Sequence, residues 1–312
     1  MPTDLRRLTL VLATAFALTA CAGGSEIIDG TPGVASHAPG TSAPTEPGAT
    51  PGSSDVPTGP DGSPLASEPG QQPTGAPDST ATAEPAESSS VDDAGRVGVN
   101  GPAMLRGDRP RLVIEVDVQE GVVFDQAALD HLVDEVARHV DKPQGIVFAG
   151  SNTFAADRTA WTSSDLRDVA TANRSTATNA TEVSVHILYV RGGFHQDGEQ
   201  TAAIGVAYTA SNVAIFPQRW AGLGALLGSD RAIERAVLVH ELGHLFGLVN
   251  LTYQSEIDHE DPEHPGHSSS TKSVMYHAIE STLIGQVFSG PPPDRFDEAD
   301  AADLAGLKSG RY

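Results

Sequence analysis

The stretch Asp230-Arg231-Ala232-Ile233-Glu234-Arg235-Ala236-Val237-Leu238-Val239-His240-Glu241-Leu242-Gly243-His244-Leu245 decides how this chain is read. Its apolar run and spacing predict a helix over 230–245. On a helix, residues i and i+4 stand one turn apart on the same face, so His240 and His244 can reach one cation together. Glu241 is then held beside that cation, where a carboxylate can take a proton from water that the metal activates. The same pattern fits a buried helix whose histidines merely satisfy hydrogen bonds, so the neighbouring sequence has to decide. Gly247 follows three residues after His244, and a glycine there lets the chain turn sharply off the helix with positive φ.

The string His240-Glu241-Leu242-Gly243-His244-Leu245-Phe246-Gly247 resembles the opening of the metzincin signature. Downstream, Ser273-Val274-Met275-Tyr276 resembles the tight methionine turn that lies beneath the metal in that family. The resemblance implies a zinc metallopeptidase. In it His240 and His244 are ligands, Glu241 is the general base and then the acid for the leaving amine, and Met275 is core support under the zinc. It covers about residues 183–276 and departs from the family at one point. The usual third ligand, three residues after the glycine, is His or Asp, and here it is Asn250, whose neutral amide is a weak zinc ligand.

The archaemetzincin branch of the family offers another spacing: a third His, then Cys, four residues, Cys, any residue and Met. Here His267 is followed by Ser268, four residues, Ser273, Val274 and Met275. That resemblance implies His267 as third ligand and makes 248–266 an insertion. His264, Asn250 and His259 stand behind it, in that order. With serine at both cysteine positions, the family's second, structural zinc is expected to be absent. The acidic loop 258–267 could hold a second cation such as Ca2+ through Asp258, Glu260, Asp261 and Glu263, but a solvated surface insertion is the preferred reading. One catalytic Zn2+ is therefore the expected cofactor.

The 312 residues carry 19 basic and 41 acidic side chains, a net charge of −22. A chain that acidic will not track a phosphate backbone, which excludes nucleic acid as a partner. Its single cysteine, Cys21, excludes an internal disulfide framework, a Cys-based zinc site and latency through a propeptide thiol. Residues 1–20 read as a signal peptide, with Arg6 and Arg7 ahead of an apolar run from Leu8 to Leu18. The run ends in Leu18-Thr19-Ala20-Cys21, which resembles the lipobox of bacterial lipoproteins and implies lipidation of Cys21. Residues 21–100 hold 12 of the 22 prolines, 11 acidic residues against one basic, and no Phe, Trp or Tyr. Such a segment buries too little apolar surface to offset its ordering entropy, so it is expected to be a disordered, extended tether.

Residues 101–312 are expected to form one catalytic domain. Strands are expected at 111–118, 146–148 and 183–190, and a hairpin or irregular edge strand over 204–208 and 212–216. Helices are expected over 126–140 and 294–307 besides the one at 230–245, and the Ser/Thr-rich stretch 151–180 offers only Trp161 and Leu166 as anchors. The fold class is α+β, a metzincin-like domain with a mixed, twisted sheet, an active-site helix and a C-terminal helix. In metzincins an edge strand ahead of the zinc helix pairs with extended substrate, which casts 204–216 in that role. His131, His139, His186, His195 and His277 have no partner pattern, and Tyr276 is read as packing.

Together these features point to a lipid-anchored zinc metallopeptidase of the cell envelope, facing away from the cytoplasm, with peptides or proteins as substrates and the membrane as partner. The rival is a catalytically silent surface module of the same fold that binds a partner or sequesters metal. Asn250 motivates that rival, whereas Glu241 has no physical purpose in it.

Overall fold

A short helix, α1 (Gly101–Leu105), leads into β1 (Arg111–Gln119), in which Leu112, Ile114, Val116 and Val118 project to one face. This is a computed structural model, and it describes residues 91–195 and 202–312. The signal segment, Cys21 and residues 21–90 of the expected tether lie outside the described residues. Helix α2 (Gln126–Val136) follows, started by the Asp125 side chain, which accepts from Ala127 N. Next come β2 (Ile146–Phe154), the two-residue β3 (Ala160–Trp161), α3 (Ser163–Asn173), β4 (Glu182–Tyr189) and the two-residue β5 (Gly193–Phe194). The chain continues through β6 (Gly205–Ala207), β7 (Asn212–Ile215) and α4 (Asp230–Phe246), and ends with a short α5 (Ile284–Val287) and α6 (Glu298–Ser309).

Five strands make one mixed sheet in the order β2-β1-β4-β7-β6; every neighbour is parallel except the antiparallel pair β6/β7. That leaves β6 as the edge strand. Strands β3 and β5 pair separately. The sheet has a core on each face. On one side Val183, Val185, Ile187 and Tyr189 of β4 join Leu129 and Leu132 of α2 and Val237 of α4. On the other, Leu188, Ala214 and Phe216 pack with Trp161, Leu166 and Ala170. A strand buried on both faces reads as a near-continuous apolar run, and β4 does. Among the described residues no helix is long and apolar enough to cross a membrane.

The structure departs from the sequence expectations in three places. The strand expected at 146–148 runs on to Phe154, with a register shift opposite Ile114–Val116. The stretch 151–180 contains α3, begun by a reciprocal cap between Thr162 and Asp165. Because this region lies over the second face of the sheet, Glu115 and Asp117 are buried. Glu115 accepts from the backbone N and hydroxyls of Ser175 and Thr176 at 2.6–2.8 Å, and Asp117 meets His186 Nε2 at 2.9 Å. The third departure is the domain's start. Residues 91–100, assigned to the tether by composition, belong to the fold, since Asp93 accepts from Thr178 N and Oγ1 at 2.8 and 2.6 Å and Asn100 is buried.

Tyr189 at the end of β4 and Glu234 in the first half of α4 join sheet and helix. The phenol donates to Glu234 Oε1 at 2.8 Å, and Asp125 N donates to the same oxygen at 3.0 Å. Burial pushes the Glu234 carboxyl up from its ordinary 4.5 to about 7. Below pH 4.5 folded and unfolded chains both carry that proton, and between 4.5 and 7 only the folded chain does. Stability is therefore lost as pH rises through this window, on the order of 3 kcal/mol in all. Glu234→Gln keeps the acceptor oxygen and cannot ionise. Thermal melts at pH 5 and pH 8 should show the variant matching the wild type at the lower pH and exceeding it at the higher.

Candidate metal centre

Helix α4 is capped by Ser229, whose hydroxyl accepts from Ala232 N, and is closed by Gly247 at φ 89°. From Ile233 to Phe246 only Arg235 is not buried, so the helix is apolar on nearly every side and its polar residues must find partners inside the protein. His240 and Glu241 are fully buried, and His244 is 7% exposed. Gly243 lies against Met275 and Phe296, and a Cβ there would overlap the Met275 sulfur. Met275 thus packs beneath the helix as core.

His267 comes to the same place from the end of the insertion. The ring of His240 lies 4.7 Å from that of His244 and 5.3 Å from that of His267, and His244 lies 4.9 Å from His267. His240 Nδ1 donates to the Val274 carbonyl at 2.7 Å, which leaves Nε2 as a lone pair pointing inward. His244 Nε2 faces it at 3.0 Å. Two imidazole nitrogens that close, one already fixed as an acceptor, need a proton or a cation between them. The Glu280 carboxylate completes the group: its Oε2 lies 3.6 and 3.8 Å from Nε2 of His240 and His244, and its Oε1 lies 3.2 Å from His267 Nε2. These four side chains each offer a ligand atom, all within 4.8 Å of one another.

Glu241 stands beside this group with no side-chain hydrogen-bond partner, its carboxylate facing the backbone N–H of Ala207 in β6. The bare backbone of Gly205 in β6 lies directly against it, and a Cβ at that position would overlap Glu241 Oε1 and Val237. Burial, with the charge of Glu280 adding to it, pushes the Glu241 carboxyl well above the usual range. Burial also drives His244 down to about 4, with His240 and His267 contributing, so its imidazole is neutral. Burial alone would raise Glu280, but the three histidines hold it well below the usual carboxylate range. His267 moves up, because Glu280 outweighs its burial. The residues fit a zinc ion: three imidazoles with converging Nε2 atoms, a carboxylate among them, and a second buried carboxylate with no side-chain partner.

The other ligand candidates are engaged elsewhere. Asn250 sits at φ 63° and brackets the insertion, donating from Nδ2 to Glu260 at 2.7 Å and accepting from Ser255 N at 2.7 Å. His264 stacks on His277 with ring centres 3.6 Å apart and meets Asp261 at 2.8 Å. His259 Nε2 lies 3.0 Å from Asp303 of α6. The serines at the family's cysteine positions are buried: Ser273 Oγ donates to Asp300 at 2.7 Å, and Ser268 Oγ accepts from Ser270 N at 3.2 Å. Within the loop 258–267, Glu260 is held by Asn250 and accepts from Gly266 N at 3.0 Å, and Asp261 accepts from Glu263 N at 2.9 Å. Sequence reasoning missed Glu280. Its one local signal is a position five residues after Met275, at the end of the 3-10 turn His277–Glu280.

Zinc stoichiometry separates the candidates. His267→Ala should lose most of the metal, whereas Asn250→Ala should keep it and lose stability instead, by about 1–2 kcal/mol for two half-buried hydrogen bonds. Metal analysis of the two purified variants beside the wild type checks both outcomes.

No protein-family model matches this chain, and no curated protein matches it. Among solved structures it is similar to archaemetzincin from Methanopyrus kandleri, at 14% identity and a TM-score of 0.42, over 65% of this chain and 98% of that one. It is also similar to metalloproteinase-II from Bacteroides fragilis, at 12% identity and a TM-score of 0.35, over 65% of this chain. It spans about half of that second protein, 54% of its length. Both likenesses are weak.

Proposed function

We propose that this chain is a zinc-dependent metallopeptidase held at the cell envelope by an N-terminal lipid. The observation that carries the reading is the convergence of His240, His244 and His267 beside a buried Glu241 that has no side-chain hydrogen-bond partner. A zinc ion on these histidines supplies Lewis acidity, polarising a scissile carbonyl and acidifying water. Every proton movement falls to Glu241. Buried beside the group and against the bare backbone of Gly205, it is placed to take a proton from water and to pass it to the leaving amine. Val274 holds His240 in the tautomer that turns Nε2 inward. The strand β6 lies at the edge of the sheet with Gly205 against Glu241, where an extended peptide added alongside it would be aligned beside that carboxylate.

Glu241→Gln tests this reading. The variant should bind zinc and fold as the wild type does, while hydrolysis of a mixed peptide library falls about 10²–10⁴-fold. Hydrolysis undiminished in the variant would remove Glu241 from the reaction. A zinc-loaded wild type that cleaves nothing would favour the silent binding module.

The lipid anchor rests on the N-terminal sequence, where the only cysteine of the chain closes the lipobox-like Leu18-Thr19-Ala20-Cys21. Several acyl chains on one N-terminus anchor stably, and a lone chain binds only marginally. Wild-type protein from bacterial membranes should partition into the detergent phase and a Cys21→Ser variant into the aqueous phase; equal partitioning of the two would disprove the anchor.

A further inference from the structure

We propose that Glu280 is a fourth protein ligand of the metal, so that the resting centre is closed by its own carboxylate and opens only when an incoming donor displaces it. The inference rests on His240, His244 and His267 holding a metal, and it does not depend on peptide hydrolysis. Four donors placed tetrahedrally at the usual zinc distances stand about 3.3 Å from one another. Near that value lie 3.0 Å between the Nε2 atoms of His240 and His244, 3.6 and 3.8 Å from Glu280 Oε2 to these two nitrogens, and 3.2 Å from the other carboxylate oxygen, Oε1, to His267 Nε2. The two carboxylates of the site are therefore unlike. Glu280 reaches all three imidazoles, whereas Glu241 meets none of them and has no side-chain hydrogen-bond partner.

Backbone pairing fixes Glu280 where it is. Its carbonyl accepts from Ile204 N at 2.7 Å, Thr282 N donates to Ala202 O at 2.9 Å, and Ala203 and Ser281 form an antiparallel bridge. The segment that carries the carboxylate thus runs along the strand entering β6. The side chain is 32% exposed, so solvent reaches this corner of the centre. Three histidines and a carboxylate fill the coordination of a structural zinc, whereas a catalytic zinc keeps a position open. A site with both this ligand set and a free general base must release one ligand, and Glu280 is the one at the exposed side. A substrate carbonyl, aligned by the rest of a bound peptide, enters at its place, whereas a free small anion competes poorly with a carboxylate tethered beside the metal.

Cobalt substitution reads the coordination directly. In the full chain loaded with Co2+, the visible spectrum of the wild type should be that of a four-coordinate ion and should not shift when azide is added. Glu280→Ala should bind Co2+ at least about tenfold more weakly, and its spectrum should shift with azide, because the position is then open. The near-isosteric Glu280→Gln, checked for folding by circular dichroism, should show the same azide response. An azide shift in the wild type as large as in the variants would overturn the proposal, as would variants whose cobalt affinity and spectrum match the wild type. The wild-type titration alone decides if the alanine variant does not fold. A folded wild type that binds no cobalt would end the metal-centre reading as well. An azide-silent, four-coordinate wild type that cleaves no peptide would leave Glu280 a ligand and remove only the peptidase.

Discussion

The hydrogen bond from His240 Nδ1 to the Val274 carbonyl joins the two pieces of chain from which the centre is built. On one side is α4, so deeply buried that its histidines and glutamate have no recourse to water. On the other is the turn at Met275, which is itself tied down: Ser273 Oγ accepts from Met275 N at 2.8 Å and donates to Asp300 of α6 at 2.7 Å. Fixing the Val274 carbonyl fixes a tautomer, and the tautomer aims the Nε2 lone pair inward. The absence of a side chain at Gly243 lets this turn come close enough. A run of contacts from α6 through Ser273 and Val274 to His240 therefore sets the direction of one nitrogen. Such partners behind a ligand are worth 10–100-fold in metal affinity in known sites.

The insertion 248–266 is held as firmly. Asp303 of α6 accepts from Tyr253 OH at 2.6 Å and from Ser255 Oγ at 2.7 Å, and it meets His259 at 3.0 Å. Holding the loop entrance carries a local cost, since Val249 at φ 49° and Asn250 at φ 63° both occupy the left-handed region. For a β-branched valine that conformation is a real outlier, worth about 1–3 kcal/mol. The hydrogen bonds of Asn250 to Glu260 and Ser255 offset part of it. The asparagine at the position of a familiar ligand is thus a bracket, shaping a detour that returns the chain as His267.

How much of this was legible in the sequence varied with how local the cause was. Helix α4, strands β1 and β4, and helix α6 could be read because their apolar spacing follows from which face each buries. The choice of His267 over His264, Asn250 and His259 came only from the resemblance of its spacing from Met275 to the archaemetzincin pattern, since nothing in the residues themselves separates the four. Helix α3 was hidden because it buries only Leu166 and Ala170; its one plain mark is the Thr162–Asp165 cap. The burial of Glu115 and Asp117 depends on that unseen layer, and the alternation in β1 carries no sign of it. Glu280 was beyond reach for a different reason. Its place follows from pairing between 280–282 and 202–204, two short segments whose residues carry no hint of one another. The end of the tether was misplaced because composition averages over windows, whereas Asp93 is held by individual bonds.

That attachment has a mechanical consequence. The Asp93 carbonyl accepts from the Thr209 and Ser211 hydroxyls, each at 3.0 Å, while its carboxylate is gripped by Thr178. A force arriving along the chain from its N-terminal side meets these bonds together, as a load shared in parallel, before it reaches α1 or the end of α4. The bonds yield as a group or hold as a group. A pull on the chain ahead of residue 91 would therefore be spent at the rim of the sheet before it reached the geometry around His240.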